Sequence, residues 1–541
     1  MRLIAVSSQS LAPAIGTAAL VLAWIWPFAG GPSPATLPWL VSAACLSVWV
    51  LVALWQRVDV AHCAARAWLI SALLSSAIGL LQFFGVSGSF KPWVNVTGLG
   101  DAFGNLRQRN QFATLTMVGL AVVMLGPLAG RRPATPPVSG ASRRGHAGVH
   151  FAVAAGSTVW PGLLAAALLA AGNAASSSRT GLLQLGLIVL LMLCWKKHTC
   201  PVIRLRLATA VVTYALASMM LPLLAGLDPW SNGLAGRFGD ADRACGSRRL
   251  LWANVSYLIG QRPWSGWGWG ELDYAHFITA YPGARFCDIL DNAHNLPLHV
   301  AVELGVPVAI GFCGWVGWLV ARARPWRETN DTRRVAWAVL ALIGLHSMLE
   351  YPLWYGPFQI AVVLASWILW RTRARRRRCA RSTGASGLDA ALPPAVSSAV
   401  ASVVGAGATA VLIVVAYAAW DYHRVSQIYR APALRASAYR DDTMAKVRES
   451  RLFRNQVLFA DLTLTGVTVD NAESINRSAH ALLRFSPEAR VVEKLIDSAL
   501  LLGKHDEAVF FMRRMRIAYP EEYAIWRATR EHVVQLPAIE P

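Results

Sequence analysis

Eleven apolar stretches, near 11–30, 37–55, 66–86, 110–128, 151–173, 180–195, 207–227, 294–320, 335–350, 357–371 and 398–419, constrain this chain more than any other feature. Their lengths are close to the roughly 17–25 residues that cross a bilayer as a helix. In lipid every backbone polar group must be satisfied within the protein, so runs of this length fold as helices. The expected fold class is therefore all-α, a polytopic helical membrane protein with about eleven transmembrane helices. The first stretch has signal-peptide features, Arg2 before an apolar run, but the same hydropathy continues through ten more stretches, so it reads as an uncleaved first span. Composition agrees: 55% of the 541 residues are hydrophobic and only 15% charged, against about a quarter charged in soluble domains.

The net charge of +21 would suggest nucleic acid in a soluble protein. Here the charges sort by side. With the N-terminus in the cytoplasm, the loops on that side carry Arg2, Arg57, Arg66, Arg131, Arg132, Arg143, Arg144, Lys196, Lys197, Arg204, Arg206, and the clusters Arg322 to Arg334 and Arg371 to Arg381. These make 23 of the 51 basic residues, against the four acids Asp59, Glu328, Asp331 and Asp389. The opposite loops are nearly balanced, as the positive-inside rule predicts. The basic excess is a topology signal, and nucleic acid is not an expected partner. The run Arg373-Ala374-Arg375-Arg376-Arg377-Arg378 suits contact with anionic membrane lipid.

On this topology the trans side, periplasmic in a bacterium, receives 87–109, 174–179, the long loop 228–293, 350–356 and everything after 420. Cys245 and Cys287 share the long loop, and an oxidising compartment would let them form a disulfide. After 420 the chain becomes charged, mixed in sign and poor in Gly. The expected organisation is a membrane portion, 1–419, and a trans-side helical domain, 420–541.

The polar residues with chemical potential cluster on the trans face. Phe103-Gly104-Asn105-Leu106-Arg107-Gln108-Arg109-Asn110-Gln111 puts donors at the entry of an apolar helix, suited to phosphate or sugar hydroxyls, although Arg snorkelling gives the same pattern. Ser176-Ser177-Ser178-Arg179-Thr180-Gly181 opens the next trans-side helix. Serines cap such an end, and Arg179 is disfavoured there by the helix dipole unless an anion joins it, so the pair reads as a phosphate site. Ser247-Arg248-Arg249-Leu250-Leu251-Trp252 has the pattern of an amphipathic helix lying on a membrane, and Arg262-Pro263-Trp264-Ser265-Gly266-Trp267-Gly268-Trp269-Gly270 that of a Gly-rich turn with aromatic planes. At Asp291-Asn292-Ala293-His294-Asn295 a polar loop turns into an apolar helix. An imidazole there suits a general base near neutral pH. His299 and Glu303, four residues apart, share a helix face and read as a structural pair. Glu350-Tyr351-Pro352-Leu353 places a carboxylate at another trans-side helix end.

Together, Gly104-Asn105-Leu106-Arg107-Gln108 with Asn110, Ser178-Arg179-Thr180-Gly181, Arg248-Arg249-Leu250-Leu251-Trp252 with Pro263 and Gly266-Trp267-Gly268, His294-Asn295 with Glu303-Leu304-Gly305, and Glu350-Tyr351-Pro352-Leu353 resemble bacterial O-oligosaccharyltransferases of the PglL type, within the wider O-antigen ligase and Wzy polymerase family. The chain departs from the family pattern at Arg109, where a Pro is common. The resemblance covers about 80–370. The segment Ala499 to Ala508, continuing to Pro520, also resembles a tetratricopeptide helix-turn-helix, with Gly503 at the turn and Ala508 at the close approach.

The resemblance implies a polyprenyl-diphosphate-linked oligosaccharide as donor, an exported protein such as pilin as acceptor, and no metal or cofactor. It implies a catalytic role for His294 and donor-diphosphate roles for Arg179 and Arg248 or Arg249. Arg107, Gln108, Asn110, Asn295, Glu350 and Tyr351 are implied as supporting or glycan-binding residues. The expected function is glycan transfer to Ser or Thr at the bacterial inner membrane. An O-antigen ligase acting on lipid A core, or a polymerase, shares the site, and a lipid-linked glycan transporter is the alternative from another class. The disulfide expectation is directly testable: thiol alkylation without reductant, read by mass spectrometry, leaves Cys245 and Cys287 unmodified, and free alkylation of both contradicts it.

Overall fold

A helix lies within each of the eleven apolar stretches in the structure, a computed structural model that describes residues 8–56, 58–126, 147–196, 200–234, 236, 248–382 and 398–530. No strand occurs among them, so the protein is an all-helical polytopic membrane protein. Among the described residues five helices are both long and apolar enough to cross a membrane: Thr36–Trp55, Val60–Phe83, Pro201–Leu224, Val306–Arg327 and Ser398–Ser426. Shorter apolar helices accompany them at Pro13–Ile25, Arg109–Leu125, Val159–Ala175 and Arg179–Cys194. The chain divides into two units, one of 1–29, 35–240 and 319–415, the other of 30–34, 241–318 and 416–541.

In the first unit the helices are α1 (Ser8–Ile25), α2 (Thr36–Gln56), α3 (Val60–Phe83), α4 (Arg109–Leu125), α5 (Ala147–Ala175), α6 (Arg179–Cys194) and α7 (Pro201–Leu224). Helix α4 is the central stave. Every side chain from Gln111 to Leu125 is buried, and the helix packs against α3, α5 and α6. Small residues permit the close approaches. A Cβ on Gly119 would lie 2.4 Å from the Cβ of Ala72 in α3. Association of this kind, through small residues and interhelical hydrogen bonds, is what holds helices together where lipid removes the hydrophobic drive.

In the second unit the residues 248–293 of the long loop form a folded layer. Helix α8 (Arg248–Gln261) buries Leu251, Asn254, Val255 and Leu258, one face at i, i+3, i+4 and i+7. These pack on Leu272 and Ala275 of α9 (Leu272–Ile278), on Phe286, Leu290 and Ala293, and on Val302 of α10 (Leu296–Leu304). The apolar face of α8 is thus used within the protein, where the sequence pattern suggested a helix lying on the membrane.

The stretch 294–320 does not run as one span. It breaks at Gly305, whose φ is 91°, into α10 and α11 (Val306–Ala323). The cause is the turn at 263–268, which crosses the end of α10. Trp267 N–H donates to Val302 O at 2.9 Å and Gly268 N–H to Glu303 O at 2.9 Å, while Val306 N–H donates to Pro263 O at 2.8 Å. The last carbonyls of α10 are satisfied by the turn instead of by a continuing helix. Gly266 and Gly305 make the crossing possible: a Cβ on Gly266 would stand 2.3 Å from Glu303 C, and one on Gly305 2.3 Å from Trp264 O. The Gly-rich turn is therefore first a backbone clamp, and the indole of Trp267 donates to Leu258 O at 3.0 Å.

The remaining helices are α12 (Asp331–Ser347) and α13 (Gly356–Ser382) of the first unit, which pack on α4 and α2 respectively, then α14 (Ser398–Ser426) and α15 (Thr443–Val447), α16 (Arg454–Leu464), α17 (Ala472–Leu483), α18 (Ala489–Leu501), α19 (His505–Ala518) and α20 (Pro520–Arg530). From α16 to α20 each helix packs on the next around a core including Leu482, Leu495, Met512 and Trp526. Gly503 turns α18 into α19 with φ 70°, and Pro520 both follows α19 and begins α20, where a missing N–H costs nothing. Helix α9 joins this core: Phe277 stacks on Tyr519 at 6.1 Å, and Arg484 lies 3.5 Å from Glu271 and over the Tyr274 ring.

The clamp gives a paired prediction. Gly266→Ala, with a positive φ of 68° and no room for a Cβ, lowers stability by about 1–3 kcal/mol, the usual scale of overpacking. Gly260→Ala, in α8 with nothing within 4 Å, is neutral or stabilising. Thermal unfolding in detergent reads both, and equal midpoints would contradict the clamp.

Candidate active site

Three site helices begin in the same way. Each is preceded by a non-glycine residue in the left-handed region, then by an extended cap residue: Arg107 (φ 64°) before Gln108 and α4, Ser177 (φ 50°) before Ser178 and α6, and His294 (φ 50°) before Asn295 and α10. Left-handed backbone costs a non-glycine residue on the order of 1 kcal/mol, so each position is held by its neighbours.

In the first unit the caps are joined by one carboxylate. The Gln108 side chain does not cap its own helix and instead donates to Glu350 Oε2 at 3.2 Å. Asn110 Nδ2 donates to Glu350 Oε1 at 2.9 Å. Asn110 Oδ1 in turn accepts from Ser178 Oγ at 2.6 Å, and that same oxygen caps α6 by accepting Gly181 N–H at 3.0 Å. Glu350 is buried. Three of the residues expected from sequence, Gln108, Asn110 and Glu350, thus meet in one network with Ser178. Tyr351 follows Glu350 and stacks on Tyr355 at 5.9 Å.

Arg179 is the first residue of α6, half-buried beside this network. No carboxylate among the described residues pairs with it. A cation at the positive end of a helix with no ion pair to a described acid is an arrangement that an anion stabilises. Gly181 is required by the fold, since a Cβ there would meet Asn173 Oδ1 at 2.2 Å. Arg109 occupies the first helical position of α4, where Pro is also well tolerated, and its guanidinium pairs with Asp101. Arg107 is exposed and donates to Pro27 O at 2.6 Å.

The second unit holds His294. Its backbone N–H donates to the side chain of buried Asn292 at 2.9 Å, a local turn that fixes the left-handed residue. Asn295 caps α10 by accepting Leu298 N–H at 3.1 Å, and Pro297 sits within the first turn. Trp252 of α8 donates its indole N–H to Ala293 O at 3.1 Å. Arg248 and Arg249 stand one helical turn before Trp252 on α8, so the pair is carried by the helix that grips the residue preceding His294. Arg248 is half-buried and Arg249 exposed.

Two neighbouring histidines of this unit, His276 and His299, stand in buried structural settings. His276 is wholly buried; its Nε2 donates to Phe286 O at 3.1 Å, so Nδ1 accepts from the Tyr281 hydroxyl at 2.7 Å. Burial first, and then the charge of Arg285, push its pKa down to about 3. It is a neutral structural imidazole. His299 lies 3.4 Å from Glu303, both buried, as the i, i+4 spacing suggested. His294 is half-buried and lies within electrostatic reach of Asp291. Asp273, on α9, is pushed up to about 7 by burial, then by Glu271 and Asp291.

Asn292, Trp252 and Asp291 were not picked out from sequence. An Asn two residues before a residue needing positive φ is a recognisable signal for the first; the other two depend on tertiary packing. Cys287 is disulfide-bonded, and its expected partner Cys245 lies outside the described residues. Among the described residues no group of three His, Cys, Asp or Glu is placed to hold a metal.

Comparison with known families follows the same segments. A protein glycosylation ligase profile matches 102–124, which contains Gln108 and Asn110. An O-antigen ligase profile matches 164–313, which contains Arg179, Arg248, Arg249 and His294. The C-terminal profile of a virulence factor membrane-bound polymerase matches 335–533, from before Glu350 through the helical tail. A general O-oligosaccharyltransferase of Acinetobacter baylyi is 28% identical over 124 residues, 22% of this chain and 21% of that protein. The match therefore spans about a fifth of the relative's length. With the motifs in order along an all-helical membrane chain, the protein is similar in successive segments to the O-antigen ligase family and to its protein-glycosylating, PglL-type branch.

Proposed function

We propose that the protein transfers a preassembled oligosaccharide from a polyprenyl-diphosphate carrier to Ser or Thr hydroxyls of an exported protein such as pilin, on the periplasmic face of the bacterial inner membrane. The observation that carries this is Arg179 at the start of α6, with the cap oxygen of Ser178 held by Asn110 and Glu350 and, among the described residues, no acid paired to the guanidinium. The leaving diphosphate is the anion such a position suits. In the proposed reaction the acceptor hydroxyl oxygen attacks the anomeric carbon and its proton passes to the His294 imidazole. The bond from that carbon to the phosphate oxygen breaks, and the electron pair leaves on the diphosphate, stabilised by Arg179 and by Arg248 or Arg249. Asn295 and Glu350 act by position, the first on the α10 start and the second on the α6 cap. Membrane residues 1–419 carry the transfer chemistry, the Cys245–Cys287 pair closes the long loop, and 420–541 is a periplasmic helical domain.

The acceptor is the part of this proposal with a rival. The O-antigen ligase profile over 164–313 favours lipid A core as a second reading, while the relative named as an O-oligosaccharyltransferase and the glycosylation-ligase match favour protein. A glycan-producing host lacking the gene separates them, expressing wild type or Arg179→Ala. Intact mass of exported proteins and gels of lipopolysaccharide are read together. The expected result is glycoprotein with wild type and a loss of about 100-fold or more with Arg179→Ala, the scale of removing one transition-state charge contact. Wild-type levels with the variant would contradict the phosphate role, and glycan on lipopolysaccharide alone would make the protein a ligase.

A further inference from the structure

The Trp264-to-Trp269 turn has a feature that neither the clamp nor the transfer chemistry uses. Its three indoles divide. Trp267 faces inward, with its N–H on Leu258 O and Arg262 stacked 4.1 Å over its ring. Trp264 and Trp269 face out, 81% and 64% exposed. Exposed Trp on a soluble surface leaves a large apolar area in water, so two on one tight turn call for something to cover them.

The clamp fixes where they lie. Trp264 O approaches Gly305 so closely that a Cβ there would stand 2.3 Å away, and Pro263 O accepts the N–H of Val306. Val306 is the first residue of the candidate membrane span Val306–Arg327, of which only 6% is buried within the protein. Its early outward side chains include Val308, Ile310 and Phe312, at 47%, 67% and 37% exposure. A helix so apolar and so uncovered is solvated by lipid, and its first residue marks the water boundary. The turn is bonded to that residue. Trp264 and Trp269 therefore stand at the height where indoles are favoured, apolar body toward acyl chains and N–H toward headgroups.

We propose that the Trp264–Trp269 turn is a membrane-interface anchor, its partner being the headgroup region of the bilayer. The anchor fixes more than a loop. Helix α10 ends at the clamp, and its nine residues span only about 14 Å at 1.5 Å per residue. His294, at the other end, is thereby kept within about that distance of the bilayer boundary, the region where a lipid-linked diphosphate resides.

The test places a photo-crosslinking residue in the full-length protein, Trp264→p-benzoylphenylalanine, in vesicles of phosphatidylethanolamine and phosphatidylglycerol without glycan donor. Val469→p-benzoylphenylalanine, at 76% exposure on the helical tail, is the control. Peptide mass spectrometry is expected to find phospholipid adducts at 264 at about ten times the level at 469 or more, as interfacial burial requires. In parallel, the unaltered protein in vesicles carrying a headgroup-proximal diazirine lipid is expected to take up label in the peptide containing 263–270, which covers the case in which the variant misfolds. Equal adducts at the two positions, no lipid label on 263–270, or crosslinks at 264 only to a second protein chain would overturn the proposal.

Discussion

A helix cannot start without finding partners for its first N–H groups, and where a chain leaves a polar loop for an apolar helix the cap residue supplies them. This constraint organises the site. At α6 and α10 the cap is a side-chain oxygen, Ser178 or Asn295, and at α4 it is Gln108, whose side chain is released to reach Glu350. Each cap is preceded by a residue bent into the left-handed region. The bend turns the incoming chain sharply against the helix axis, so the neighbouring side chain stands at the helix mouth. Arg179 stands just inside such a mouth and His294 just outside one.

The bend has to be held, and the protein holds it with buried polar contacts. Around Arg179 the contacts form a closed chain, Glu350 to Asn110 to Ser178 to Gly181, which ties α4, α6 and the end of α12. Behind it Thr114, Gln184 and His346 join the same three helices, with Thr114 Oγ1 2.9 Å from His346 Nδ1 and Gln184 Nε2 donating to Leu342 O at 3.0 Å. Buried networks of this kind resist small shifts because breaking one bond strands its partner. Around His294 the holding is shared between Asn292, Asn295 and Trp252, and the packing of α9 onto the tail helices extends it to 416–530.

Much of this was legible in sequence. The all-helical class followed from the length and apolarity of eleven stretches, while Gln108, Asn110 and Glu350 were each placed at a helix end without their contact with one another being foreseen. The break at Gly305 was not foreseen either, because hydropathy runs on unchanged across it. What stops the helix is a turn remote in sequence whose N–H groups take the α10 carbonyls. For the same reason the Trp-Gly segment read only as a Gly-rich turn with aromatic planes, while its glycines serve the crossing with α10. The α8 pattern fitted a membrane surface as well as a protein core, since amphipathicity does not name the apolar partner. His294 could be singled out from sequence by its place at a loop-to-helix boundary; that His276 is a structural imidazole needed the positions of Tyr281 and Phe286.

The most direct test of the account is a single-turnover assay with purified, reconstituted protein, a polyprenyl-diphosphate-linked oligosaccharide and an exported acceptor protein, comparing wild type with His294→Ala while donor binding is measured separately. The predicted result is a loss of about 100-fold or more in the transfer step, the usual scale for removing a general base, with donor affinity changed far less. Transfer by the variant at the wild-type rate, with donor bound equally well, would contradict the central claim that His294 takes the acceptor's proton.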